Sequence, residues 1–398
     1  MSLNIMSDIE QLNIFELQKR AKKLLPTFAE GSAERERERQ LPYAQIEALV
    51  EARLLTWRIP QQYGGAGASV RETVQFIIDV ASYDSNIAQA LRPSFLFIES
   101  LLSNASEAEK QRWFTRYLQG EVVGNAGWEI GGANGAITTT IVADGEKFRV
   151  NGSKYYSTGG LYSDWISAVA LNEEENPIFF ILPRDRTGLE LLDDFDAMGQ
   201  RLTASGTTHL NNVIVYSEEI QSREWNKDKR SIVTPFAQIF LAAVEAGIAK
   251  NVLRDAVKFA QEKARPIKHS SVEKSVDDPY VEFTVGEISA RAFAAESVVL
   301  QAADRIDEAW VNHLSEDTVN LAALDVAQAQ FIAIENTLKA AERLFDVGGA
   351  STTARGNNFD RHWRNARTVA NHNPRDWKAA AVGAYRLKAI ELPLSGLF

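Results

Sequence analysis

The hydrophobic period of this chain changes twice, and that double switch restricts the fold more than any single motif. Through "LPYAQIEALVEARLL" and "VRETVQFIIDVASY" apolar residues recur every three or four positions, as they must where one face of a helix is buried. From about Glu121 to Ser222 the period falls to two. "ITTTIVADGEKFRVNGSKYY" reads as two strands joined through Asp144-Gly145, with an Asn151-Gly152 turn into a third. "WISAVAL", "IFFILP" and "THLNNVIVY" add further strand candidates. After Ile232 the helical period returns. Val285, Ile288, Ala292, Ala295, Val299, Ala302 and Ile306 form one stripe; Leu324, Ala327, Phe331, Ile334, Leu338, Ala341 and Phe345 form another. The expected fold is α+β and mostly α: a helical domain over 1–120, a small β domain over 121–230 and a helical bundle over 231–398. "HSSVEKSVDDPY" (269–280) is the one segment expected to be a mobile loop.

Charge and residue usage remove several function classes. Lys plus Arg number 43 against 53 Asp plus Glu, a net charge of −10 that argues against duplex nucleic acid or an anionic membrane as partner. The absence of cysteine excludes disulfides, thiolate metal sites and Cys nucleophiles. None of the five histidines lies in an HExxH-type pair, so no metal is expected. No run of 18 apolar residues and no signal-like start is present, which reads as a soluble cytoplasmic protein.

Two of those histidines fall in "HWRNARTVANHNP" (362–374), with two arginines, three asparagines and no carboxylate. Together with "RIPQQYGGAG", "VNGSKYYSTGGLYSDW" and "MGQRLTASGTTHLNNVIV", in that order along nearly the whole chain, it resembles the acyl-CoA dehydrogenase family. The resemblance implies a β-barrel or sandwich in the middle, a C-terminal four-helix bundle, a flavin, and a homotetramer built as a dimer of dimers. It places Thr158 at flavin N5, with Tyr156 as an aromatic wall. Trp128 stands where the dehydrogenases carry a flavin-bonding Thr, and Asn125 can offer an amide to the pyrimidine edge. Arg265, with Ser351 and Thr352, can hold a terminal phosphate. In "DVGGAST" the family's Gln is Asp346, and an acid beside a diphosphate repels it, which favours FMN over FAD.

Acyl-CoA dehydrogenases need a glutamate base to ionise a weak carbon acid. Asn373 occupies one of the family's two base positions and Ala237 the other, leaving Glu245 as the only substitute. "FDRHWRNARTVANHNP" is closer to the family's flavin monooxygenase branch, which includes dibenzothiophene monooxygenase. That branch implies reduced FMN from a separate NAD(P)H:flavin reductase, O2 added at C4a as a hydroperoxide, and a small organosulfur or nitrogen substrate. His372 is then the catalytic candidate, a proton manager expected to titrate near working pH. Arg92, Ser94, Phe95 and Asn373 are the substrate-pocket candidates. An arginine there suits an anionic or sulfonyl-bearing substrate, and equally a helix-surface residue preceding Pro93. The alternatives are an FAD-dependent acyl-CoA dehydrogenase with its base relocated to Glu245, and a flavin-free binding module.

Overall fold

The structure, a computed structural model, describes residues 12–130, 136–221 and 228–398. The first region is helical: α1 (Ile14–Leu24), α2 (Pro26–Ala29), α3 (Ser32–Arg37), α4 (Tyr43–Glu51), α5 (Val70–Tyr83), α6 (Ser85–Ala90), α7 (Arg92–Asn104) and α8 (Glu107–Leu118). Helix α5 coincides with its predicted segment because its ends are chemically fixed. Ser69 and Glu72 form a reciprocal capping box, and Asp307 accepts from the Val70 and Arg71 amides at 2.7 and 2.9 Å.

Seven strands follow: β1 (Val123–Ala126), β2 (Thr140–Asp144), β3 (Lys147–Lys154), β4 (Trp165–Leu171), β5 (Pro177–Pro183), β6 (Leu189–Leu191) and β7 (Thr208–Tyr216). They form a single curled sheet of order β1-β4-β2-β3-β7-β6, with β5 paired to β4. Val150, Ile166, Phe180, Leu182, Val213 and Val215 fill its inner face. Asn151-Gly152 is not a turn. It is a bulge within β3, where the register against β7 slips. The glycine is required because a Cβ there would stand 2.4 Å from the Thr139 hydroxyl.

The C-terminal region contains α9 (Val233–Glu262), α10 (Pro279–Val311), α11 (Glu316–Arg343), α12 (Asp360–Ala370) and α13 (Arg375–Lys388). Helix α9 is long and apolar enough to cross a membrane, but most of it is buried among α5, α10, α11 and α12. The α10 stripe is buried from Ile288 to Ile306, with Val285 at its edge. Its alanines let the helices approach closely, while each large member contributes roughly 1.5–3 kcal/mol of burial. Helix α11 buries more than its predicted stripe, since Val326, Ala333 and Ala340 also pack inward between α10 on one side and α12 and α13 on the other. Short α12 is the fourth bundle member. The 269–280 segment is partly structured: Ser275 is buried, and Asp278 caps α10 by accepting from the Tyr280 amide.

Candidate functional site

Three regions meet at the loop between β6 and β7. Gly199 lies so close to α12 that a Cβ would stand 2.1 Å from the Arg364 carbonyl. Beside it the Gln200 amide donates to Asn365 Oδ1 at 2.6 Å, Gln200 Nε2 to Ser85 Oγ at 3.2 Å, and the Leu202 amide to Asn86 Oδ1 at 3.1 Å. Arg364 closes the junction, donating to the Met198 carbonyl and to Glu36 on α3 at 2.7 and 2.6 Å. Burial alone would raise the Glu36 pKa, but hydrogen bonds from Arg364 and Asn358 hold it below its ordinary value. The loop is therefore stapled to α3, α6 and α12 at once.

The segment after β3 packs on that loop. Tyr156 is left-handed (φ +57), the Ser157 amide donates to the Gly206 carbonyl and the Gly159 amide to the Thr203 carbonyl. At Gly159 (φ +74) a Cβ would sit 2.4 Å from the Ala90 carbonyl, so the turn abuts the end of α6, just ahead of Arg92. Thr158 is nearly buried, its Oγ1 2.9 Å from Ser205 Oγ. The Asn125 amide donates to the Thr158 carbonyl, and Asn125 Oδ1 is buried without a partner. Trp128 and Tyr156 stay 44% and 50% exposed, large rings with uncovered faces beside these polar groups. The backbone under Trp128 is fixed by Glu129, which accepts from Thr138, Thr139 and buried Lys154. Burial opposes its ionisation, but those bonds hold its pKa down to about 2. An orphaned amide oxygen, a hydroxyl and two bare aromatic faces fit a flavin ring: Asn125 can take a ring N–H, Thr158 can face N5, and the aromatics can wall it.

His372 and Arg92 form a second polar group near the Gly159 turn, where a Cβ would stand 4.0 Å from Pro93 Cδ. Arg92 Nη1 lies 3.4 Å from His372 Nε2, at the start of α7 and just past the end of α12. Arg92 Nε has no acceptor, and no carboxylate pairs with this guanidinium, whose pKa falls to about 10 through burial alone. Arg92 is half-buried at the start of α7. His372 keeps part of its surface exposed while protein crowds the rest. Crowding first, and the Arg92 charge second, lower its pKa to about 3. Both effects favour the neutral, hydrogen-bonding form of the ring. Asn373 is buried; its Nδ2 donates to Gln238 Oε1 at 2.6 Å while its Oδ1 has no partner. Gln238 Nε2 donates in turn to the Gly396 carbonyl of the C-terminal tail at 3.2 Å.

Other predicted site residues lie elsewhere. Ser94 is closed onto α8, its Oγ donating to the Tyr117 hydroxyl, which donates to the Ser94 carbonyl. Phe95 belongs to the aromatic core between Phe76 and Phe240. Neither offers the recess a polar group. Ser351 donates to the Gly348 carbonyl and buried Thr352 to the Phe345 and Gly349 carbonyls, so both hydroxyls hold their own turn. Arg265 is exposed, and no hydrogen bond joins it to them. Asp346 is paired with Arg343, which cancels the repulsion expected of it toward a diphosphate. Glu245 is fully buried with both oxygens unpartnered, and burial raises its pKa well above 4.5 despite Arg367 and Arg375. It is a protonated core acid closed off from the recess. His362 bonds to Asp255 at 2.8 Å in the core. Sequence reasoning missed Gln238, Thr203 and Ser205. The last two sit inside the quoted "GQRLTAS" stretch, where their hydroxyls were the available signal.

With this geometry in hand, comparison with known proteins is consistent throughout. Three acyl-CoA dehydrogenase domain models match: the N-terminal domain over residues 16–121, the middle domain over 129–213 and the C-terminal domain over 239–377. The probable FMNH2-dependent monooxygenase SfnC of Pseudomonas putida is 30% identical, over 92% of this chain and 93% of its own. The crystal structure of TdsC from Paenibacillus sp. A11-2 with FMN and indole superposes with a TM-score of 0.90 at 28% identity, covering 96% of this chain and 99% of that one. Methanesulfinate monooxygenase MsuC of Pseudomonas fluorescens gives 0.89 at 29% identity over the same shares.

Proposed function

The chain belongs to the acyl-CoA dehydrogenase family, and we propose that it is an FMNH2-dependent monooxygenase acting on a small organosulfur compound that carries an oxyanion or sulfonyl group. One oxygen atom of O2 enters the substrate and the other leaves as water. Reduced FMN, supplied by a separate NAD(P)H:flavin reductase, provides the two electrons and activates O2 when bound. The observation that carries this reading is the Arg92–His372 pair standing where a dehydrogenase needs a carboxylate, with Asn373 buried at the base position and Glu245 protonated out of reach. That arrangement disfavours the acyl-CoA dehydrogenase alternative.

The chain's own groups divide the work. Asn125 and Thr158 orient the flavin ring, and Trp128 and Tyr156 cover it and exclude water. Arg92 holds the substrate oxyanion through charge-assisted bonds. Neutral His372 offers a ring nitrogen beside the reacting oxygen, donating or accepting a hydrogen bond without adding charge. The proposed assembly is a cytoplasmic homotetramer, a dimer of dimers, in which exposed Arg265 can reach the flavin phosphate of a neighbouring subunit.

The test mixes purified protein with photoreduced FMN, 18O2 and methanesulfinate or an aryl sulfone. One 18O atom in the product is expected, and His372→Ala should abolish incorporation. Absence of label, or bound FAD that an acyl-CoA bleaches anaerobically, would overturn the proposal.

A further inference from the structure

The flavin-facing hydroxyl is the end of a chain whose direction is set elsewhere. Thr203 Oγ1 donates to the Gln200 carbonyl at 2.9 Å, and a carbonyl can only accept. With that proton spent, the 2.8 Å contact between Thr203 and Ser205 hydroxyls requires Ser205 to donate. The 2.9 Å contact between Ser205 and Thr158 then requires Thr158 to donate. The 3.4 Å contact of Thr158 Oγ1 with the Tyr156 carbonyl is too long to compete for that proton. Thr203 and Ser205 are 1% and 4% exposed, so water does not compete for these protons, whereas Thr158, at 9%, is the member that reaches the surface. What it presents outward is a lone pair.

We infer that the Thr203–Ser205–Thr158 chain makes this site selective for the redox state of the flavin, accepting N5–H of the reduced ring and rejecting the bare N5 of the oxidised one. The inference rests on Thr158 facing N5, as proposed above. Reduced flavin carries a proton on N5 and meets an acceptor. Oxidised flavin carries a lone pair there and meets another. An unmatched buried acceptor lowers affinity by roughly tenfold or more. Thr203 and Ser205 touch no flavin atom and act only by orienting Thr158, so they are positioning residues. The device suits a protein that must load reduced FMN from solution and release the oxidised form.

The experiment measures dissociation constants for oxidised FMN by fluorescence quenching, and the midpoint potential of bound FMN by anaerobic spectroelectrochemistry. Wild type should bind reduced FMN at least about tenfold more tightly than oxidised FMN, raising the potential by about 30 mV over free FMN for a two-electron couple. Ser205→Ala frees the Thr158 proton to turn outward. Thr203→Val releases Ser205 to donate to Thr158 and reverses the chain. Both should tighten oxidised FMN and remove most of the potential shift, while Ser205→Thr should retain it. Equal affinity for both redox states in wild type, or variants that leave the ratio unchanged, would overturn the inference and leave the monooxygenase reading standing. Failure to bind FMN in either state would overturn both.

Discussion

Replacing Arg92 with methionine should make the protein more stable and less active. The guanidinium has no carboxylate partner, its Nε has no acceptor, and its one contact is a 3.4 Å approach to a neutral imidazole. Relieving an unsatisfied buried donor of this kind is worth about 1–3 kcal/mol. In a chain of this size that corresponds to a Tm rise of roughly 1–4 °C, read by scanning calorimetry. The pH dependence follows with a definite sign. His372 has a folded pKa below its unfolded one, so it costs stability as pH falls from about 6.5 toward its folded value of about 3. Arg92 is one cause of that depression, so the methionine variant should lose less stability on acidification. Binding changes in the opposite direction. Two charge-assisted bonds to an oxyanion, less the cost of ordering, amount to about 2–4 kcal/mol, or a 30- to 1,000-fold loss in kcat/KM for sulfinates. Neutral sulfides or indole should lose far less. A variant destabilised by more than about 1 kcal/mol would refute the reasoning by showing that Arg92 is a structural residue. Equal losses for charged and neutral substrates would refute it as well.

Other consequences follow from the same geometry. His372→Gln should keep FMNH2 consumption but uncouple it, with product per flavin falling by roughly a hundredfold and hydrogen peroxide rising, read by HPLC and a peroxide assay. Gly199→Ala must push the loop off α12, since its Cβ would meet the Arg364 carbonyl at 2.1 Å; a loss of about 3 kcal/mol or more in urea unfolding is expected. Glu245→Gln should flatten the pH–stability curve above about pH 4.5. The folded carboxyl keeps its proton while the unfolded one loses it, so wild type forfeits stability as pH rises and the amide does not. Gln238→Leu should release the Asn373 amide to flip, changing which ring nitrogen of His372 is protonated, as 15N NMR of the histidine-labelled protein would read.

The order of the domains was legible in hydrophobic period, because period reports which face of each element is buried. The Ile288 to Ile306 stripe lies in the core as the spacing requires. Asn151-Gly152 misled because the same dipeptide serves a turn or a bulge, and only the approach of Thr139 from β2's flank decides between them. His372 and Arg92 were legible as chemistry but not as a pair, since 280 residues separate them and no local pattern records the contact. Ser94 and Phe95 were misplaced for a related reason. They follow Arg92 on α7, but Ser94 turns onto Tyr117 and Phe95 packs between Phe76 and Phe240, contacts to distant helices that no local pattern records. Hydroxyls at 351 and 352 looked like phosphate ligands because composition cannot reveal that their own turn already uses their protons.

The absent carboxylate at 373 now has an electrostatic explanation. A glutamate next to His372 would attract the unpaired Arg92 guanidinium and leave less of its charge for a substrate anion. Such a carboxylate would also hold a proton on His372 by raising its pKa. Asparagine avoids the ion pair, and its own hydrogen bond raises the His372 pKa by less than burial and Arg92 lower it. The Gly396 carbonyl requires Gln238 Nε2, which turns Gln238 Oε1 to Asn373 Nδ2 and leaves Asn373 Oδ1 for the His372 side, where that amide favours a ring proton. Neutrality is therefore favoured in two separate places: at His372, where crowding and Arg92 disfavour the cation, and in the core, where burial disfavours the Glu245 carboxylate. Neither Asn373 nor buried Glu245 offers the ionised carboxylate that removal of a proton from a carbon acid requires.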